Sequence, residues 1–167
     1  MKRALERTLE AVSLLALSVW LGGFATLGAI VAPLVFGMVP APASADAMTA
    51  VFRRFDVVAI GCAVVALLVE VAHALVRDSL LRRDVVRAAL VIAAGALSVI
   101  EATVISPHID RLHRGGAIRG LGAAGLELDK IHHTAELLAK VELSLLLVVL
   151  ALHAFRTAPP QEPSQSS

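Results

Sequence analysis

Glu70, His73, Glu101, His132, Glu136, Lys140 and Glu142 lie inside or at the rims of apolar runs that are otherwise long enough to cross a bilayer. A charged side chain in hydrocarbon is costly, so by default it faces a protein interior or water and marks an ion path, a proton relay or a binding site. Spacing sorts these seven. His132, Glu136 and Lys140 recur at i, i+4 and i+8 along one stripe with His133 beside it, whereas Glu142 follows Lys140 by two residues and points to roughly the opposite side. Glu136 and Lys140 are placed to pair along their own helix. Glu142 needs a partner on another helix or must hold a proton. Glu70-x-x-His73 has the spacing used in di-iron carboxylate bundles, which need two such pairs and two further Glu; one pair is present here. The nitrogen and oxygen ligands of Glu101, His132 and Glu136 suit a single zinc-like ion better. Haem has no ligand pair at matched depth, and no Ser-His-Asp or Cys-His spacing supports covalent catalysis, so no cofactor beyond such a zinc-like ion is expected and no covalent enzyme chemistry is assigned.

The elements that must carry these residues follow from composition. The chain has 167 residues, 57% hydrophobic and 17% charged, with a mean hydropathy of +0.80. That is more apolar surface than a soluble core of this length hides, so an integral membrane protein is expected, with the lipid bilayer as its first partner. A single cysteine, Cys62, excludes an internal disulfide framework, and a net charge of +1 argues against nucleic acid as a partner.

Charge-free runs and prolines predict an all-α, polytopic fold: one four-helix membrane domain over 1–156, with spans at about 11–37, 55–76, 87–105 and 131–155, and a disordered tail at 157–167. Pro33 and the Pro40/Pro42 pair should end the first helix near Phe36 to Met38, and Ser106-Pro107 should stop the third. The first apolar run is too long for a secretory leader and is read as a retained span. Gly22 with Thr26, Ala25 with Ala29, and Gly28 with Ala32 give that span small residues for close packing, and Trp20, mid-helix, is expected to pack within the bundle together with Gly23. Gly120 to Gly125 matches G-x-G-x-x-G but follows a helix and a polar turn rather than a strand, so it reads as a flexible glycine-rich connection.

With the N-terminus inside, eight basic residues fall in inner segments against six in outer ones, and Arg82, Arg83 and Arg87 crowd one short hairpin. The positive-inside bias therefore places both termini in the cytoplasm, in a bacterial cytoplasmic (inner) membrane. At about 1.5 Å per residue, Glu101 lies roughly 20 Å from the inner start of the third span and Glu136 some 7 Å below the outer end of the fourth. Depth thus predicts an outer group of Glu101, His132, Glu136 and Lys140, an inner pair Glu70 and His73 with His153 nearest, and Glu142 alone near mid-depth.

Trp20-Leu21-Gly22-Gly23 followed by Ala32-Pro33-Leu34-Val35-Phe36 resembles a small four-helix membrane family catalogued as a domain of unknown function and related to the eukaryotic transmembrane protein 205-like domain. Val51-Phe52-Arg53-Arg54-Phe55, Ile105-Ser106-Pro107-His108-Ile109 and Leu128-x-x-Ile131-His132 ahead of Glu142 extend the resemblance over nearly the whole chain. The Trp-x-Gly-Gly start is more distantly similar to copper resistance protein D-like membrane domains. Two departures matter. The family places a Ser and an Asn after the His where this chain has Ala135 and Ala139, and soft copper ligands are confined to Cys62 and to Met38 and Met48 near an outer mouth.

Three function classes are expected from these residues: a compact interaction or accessory protein working through lipids, a homo-oligomer or another membrane protein; a small ion- or proton-coupled carrier using the intramembrane Glu, His and Lys; and a membrane metal or redox protein.

Overall fold

The computed structural model describes the backbone of residues 2–76 and 82–157 and the side chains of 4–76 and 82–153. In chain order, α1 (Lys2–Thr26) passes through a π turn at Leu27–Val31 into α2 (Ala32–Met38); α3 is Ala43–Val76; α4 (Arg82–Ile100) passes through a π turn at Glu101–Ile105 into α5 (Ser106–Arg114); α6 is Gly122–Thr157. The protein is all-α, as its composition predicts, but its helices outrun the expected spans.

The prolines explain part of the difference. A helical proline lacks an N–H and crowds the carbonyl four residues back. Here the backbone widens just before each one, with the Ala32 N–H reaching the Leu27 carbonyl and the Ser106 N–H reaching that of Glu101. A π turn of this kind absorbs the clash and lets the rod continue. The expected stop at Ser106-Pro107 is therefore corrected: the third rod runs on to Arg114. Pro33 likewise follows a π turn without stopping the first rod, which ends at Met38 as Val39 turns extended (φ −110°, ψ 123°).

α3 starts well before the expected residue 55, with Asp46 in its first turn, where the helix dipole favours an acid. α6 starts at Gly122 rather than 131, so the flexible connection expected at Gly120 to Gly125 shrinks to the turn before it. Gly116, Gly120 and Gly122 have φ of 77°, 78° and 65°, values L side chains rarely adopt, and they reverse the chain there. The expected tail beyond Thr157 lies outside the described residues.

Three rods, Ala4–Met38, Ala43–Val76 and Arg82–Arg114, are long and apolar enough to cross a membrane. α6 is of similar length, but Glu136, Lys140 and Glu142 interrupt its apolar run, so among the described residues length and composition establish three spans where four are expected. The four long helices pack in the order α1, α3, α4, α6 and back to α1. Their buried faces follow a repeat of threes and fours: Ser13, Leu17 and Trp20 on α1; Asp56, Ala59, Ala63, Ala66, Glu70 and His73 on α3; Asp84, Arg87, Val91, Ala94 and Ser98 on α4; Glu142, Leu146, Val149 and His153 on α6. That repeat is the seam of helices crossing at small angles. The opposite faces carry exposed Leu15, Val57, Leu68, Ile92, Val104, Leu137 and Leu147, an outward apolar surface suited to lipid.

At mid-height the seams are apolar and mostly small: Leu17, Trp20, Ala59, Ala63, Ala66, Val91, Ala94, Leu146 and Val149 form one cluster. Gly95 meets Ala63 there, where an added Cβ would stand 3.1 Å from the alanine methyl. Polar side chains occupy the same seams above and below this plug.

Candidate functional site

Toward the end of the bundle that carries the 115–121 turn, here the loop end, Glu142 is fully buried at 0% exposure. Its Oε1 accepts two hydrogen bonds, from the Trp20 Nε1–H of α1 at 2.8 Å and from the Ser98 hydroxyl of α4 at 2.7 Å. Its Oε2 is buried and has no hydrogen-bond partner among the described residues. Glu101, one turn past Ser98 at the start of the π turn that follows α4, is within electrostatic reach of both Glu142 and Asp56, and its Oε1 is also buried and without a hydrogen bond among the described residues. Asp56 of α3 is 8% exposed and accepts from the Ser106 hydroxyl at 3.1 Å. Three carboxyls from three helices thus share one layer with two hydroxyls and an indole N–H. Arg53, three residues before Asp56 at the rim, acts on the layer from outside.

This layer differs from the expected outer group. Glu136 and Lys140 do pair, at 2.7 Å, but they are 58% and 69% exposed and do not join Glu101. Helix geometry gives the reason: once Glu142 turns inward, residues two and six positions earlier fall on the far side of the rod. His132 sits higher, with its ring 5.8 Å from that of His113. No group of three or more His, Cys, Asp or Glu among the described residues is arranged to hold a metal ion, so Glu101, His132 and Glu136 do not assemble into the zinc-like set. Glu142, expected alone at mid-depth, is the centre of the layer.

At the other end, where α1 begins and α6 ends, here the terminal end, Glu70 is 7% exposed and Arg87 2%. The guanidinium holds the carboxylate in a two-pronged grip, Nε to Oε1 and Nη2 to Oε2, each at 2.6 Å, and Nη2 also lies 3.5 Å from Asp84. Arg87, expected as an inner-loop cation, is thus the partner of Glu70. His73 and His153 are buried in the same layer, at 2% and 3% exposure.

Above the loop-end layer, ion pairs fasten the connection. His108 meets Glu127 at 2.8 Å, Arg114 pairs with Asp110, and Arg119 reaches Asp129 at 2.5 Å. That last hydrogen bond holds the Asp129 carboxyl below the usual carboxylate range.

Of the packing residues expected in the first span, Trp20 and Gly23 face inward; a Cβ on Gly23 would collide with the Phe55 ring. Gly22 does not: nothing lies within 4 Å of the position its Cβ would take, and Pro33 is exposed too. Pro107 is exposed and shapes the turn beneath it. Asp56, Ser98, Ser106 and Arg87 escaped the sequence reading because a lone hydroxyl or a charge near a helix end looks like surface. Their signal is phase, since each continues the seam of its own helix.

No curated protein and no solved structure matches the chain. A family model matches residues 15–117, from the middle of α1 past the end of α5, taking in Trp20, Asp56, Glu70, Arg87, Ser98 and Glu101 and leaving α6 outside. On that match the chain belongs to the family described as Domain of unknown function (DUF4149).

Proposed function

We propose that the chain is a four-span membrane protein that binds protons in its loop-end carboxyl layer and couples that binding to ion movement, with Glu142 as the binding residue. The observation that supports it is the unpartnered Oε2 of a fully buried carboxyl whose other oxygen is fixed by Trp20 and Ser98. A buried carboxylate without a cation beside it is costly, and taking up a proton removes that cost. Glu101 and Asp56 extend the acid layer toward the loop-end water. α6 completes the set as the fourth span, because it packs against α4 and α1 with Glu142 inward and Leu137 and Leu147 outward. The arginine bias puts the termini in the cytoplasm of a bacterial inner-membrane protein, so the acid layer belongs to the outer leaflet.

Reconstitution in liposomes containing a trapped pH dye tests this. A potential-driven, pH-dependent proton flux is expected, reduced at least about tenfold in Glu142→Gln and unchanged in Lys140→Met, whose ammonium is paired on the outer face. Flux that survives Glu142→Gln removes the proposal.

A second reading, an interaction protein, is supported by the outward small residues of α1 and of the π turn that follows it. Gly22 and Gly28 meet nothing within 4 Å, leaving a face on which a second helix could approach closely. A strictly monomeric sample in detergent and in nanodiscs would remove it.

A further inference from the structure

The terminal-end layer contains buried groups that the Glu142 site does not use. His73 is 2% exposed and neither of its ring nitrogens has a hydrogen-bond partner among the described residues. His153 is 3% exposed; its Nδ1 lies 3.1 Å from the Val149 carbonyl, and its Nε2 is buried without a partner. A carbonyl only accepts, so Nδ1 carries the hydrogen in that bond and Nε2 is left with a bare lone pair. The tautomer is therefore set, and the basic nitrogen is the one that faces the layer.

All four long helices contribute to its surroundings. Glu10 comes from α1, Glu70 from α3 one turn before His73, Asp84 and Arg87 from α4, and His153 from α6, whose ring is in electrostatic reach of Arg87, Glu70 and Glu10. Ser13, one turn past Glu10, adds a buried hydroxyl without a hydrogen bond. Glu70 is engaged on both oxygens by Arg87, and Asp84 lies 3.5 Å from the same guanidinium, so both acids have a cation beside them while the Nε2 lone pair of His153 has no hydrogen bond. His73 stands three residues, about one helical turn, before Val76, the last residue of α3.

We propose that His153 is a second proton-binding site, with the buried His73 in the same layer, on the opposite side of the apolar plug from Glu142 and loaded from the terminal end. Each proton is taken from water onto a ring nitrogen lone pair, giving an imidazolium, and returns to water when the ring is neutral again. From Glu142 to His153 is eleven residues along α6, about 16 Å, so the two sites exchange no proton directly. The site stands on its own geometry; its part in transport rests on the Glu142 reading.

The test is a pH titration of the full chain in nanodiscs, labelled with nitrogen-15 in its histidine rings, from pH 5 to 8. Signals are assigned with His73→Gln and His153→Gln. The expected result is that Nε2 of His153 gains a proton within this range while Nδ1 stays protonated. A His153 ring that stays neutral throughout overturns the proposal. The wild-type titration of His153 reads the outcome even where a Gln variant folds poorly. A Glu142→Gln sample separates the two sites. Histidine titration that persists while flux is lost supports both; titration with flux intact removes the Glu142 reading and leaves the second site standing; flux lost in that variant with silent histidines removes the second site alone.

Discussion

Glu142 is a residue whose chemistry is decided by three helices other than the stretch of sequence around it. Sequence alone singles it out as inward and unpaired on its own rod, but its partners Trp20 and Ser98 are distant in the chain, and nothing in their own neighbourhoods marks them as donors. Because Trp20 is the only tryptophan and there is no tyrosine, the indole reports on the carboxyl it touches. Tryptophan emission should therefore change with pH in the wild type and stay flat in Glu142→Gln, whose carbonyl still accepts both bonds. An emission profile that is the same in both would show that Glu142 does not titrate. Glu142→Leu is a different perturbation: it strands a buried indole N–H and a buried hydroxyl, each costing about 1–3 kcal/mol, and should lower the thermal midpoint where Gln does not. The Glu70 and Arg87 pair makes the same point in reverse. Arg87→Met leaves a buried carboxylate uncompensated, with an expected loss of about 3–5 kcal/mol, whereas the double change Glu70→Leu with Arg87→Met should recover most of it. Thermal unfolding followed by circular dichroism measures both, and equal losses in the single and double variants would show that the pair is not what fixes the arginine.

At the scale of elements, apolar runs and prolines reveal that there are four rods, but not where each rod ends or which small residues face a neighbour. A span estimate stops at the first charge, while a helix continues through Asp46, Arg53 and Asp110 as long as its polar faces reach water; α3 and α5 do this. Facing is legible only once the phase of the whole seam is known. Gly22 and Gly23 look equivalent as packing glycines, yet only Gly23 abuts Phe55, and Gly95 abuts Ala63. Gly23→Leu and Gly95→Leu should each destabilise by about 1–3 kcal/mol through overpacking, with Gly22→Leu close to neutral. Similar midpoints for Gly22→Leu and Gly23→Leu would place α1 in a different rotation. The connection before α6 depends on charge instead. Asp129, held low by Arg119, contributes fully above its ordinary value near 3.8 and loses that contribution as the pH falls through its lowered folded value. Wild type and Asp129→Asn should therefore differ in protease resistance of the 115–121 turn at neutral pH and converge as the pH falls through that lowered value. A difference that persists at acid pH would mean the side chain acts through packing.

For the whole molecule, the arrangement is a small-residue plug with an acid layer at one end and a histidine, arginine and glutamate layer at the other. An apolar plug between two titratable layers is the minimum a membrane protein needs to bind protons separately from its two faces, and it needs α6 to cross, because α6 supplies Glu142 to one layer and His153 to the other. Crossing by α6 therefore has a consequence that can be measured independently of any flux. With four spans, Leu121, exposed in the loop-end turn, and Ser164, beyond α6, lie on opposite sides of the membrane; with three, they lie on the same side. In a Cys62→Ala background, Leu121→Cys should react with a membrane-impermeant thiol reagent added to intact cells, and Ser164→Cys only after the cells are permeabilised. Labelling of both positions in intact cells would leave α6 outside the bilayer. Glu142 would then rest against the bundle from the water side, and a proton site within the membrane would have no fourth wall.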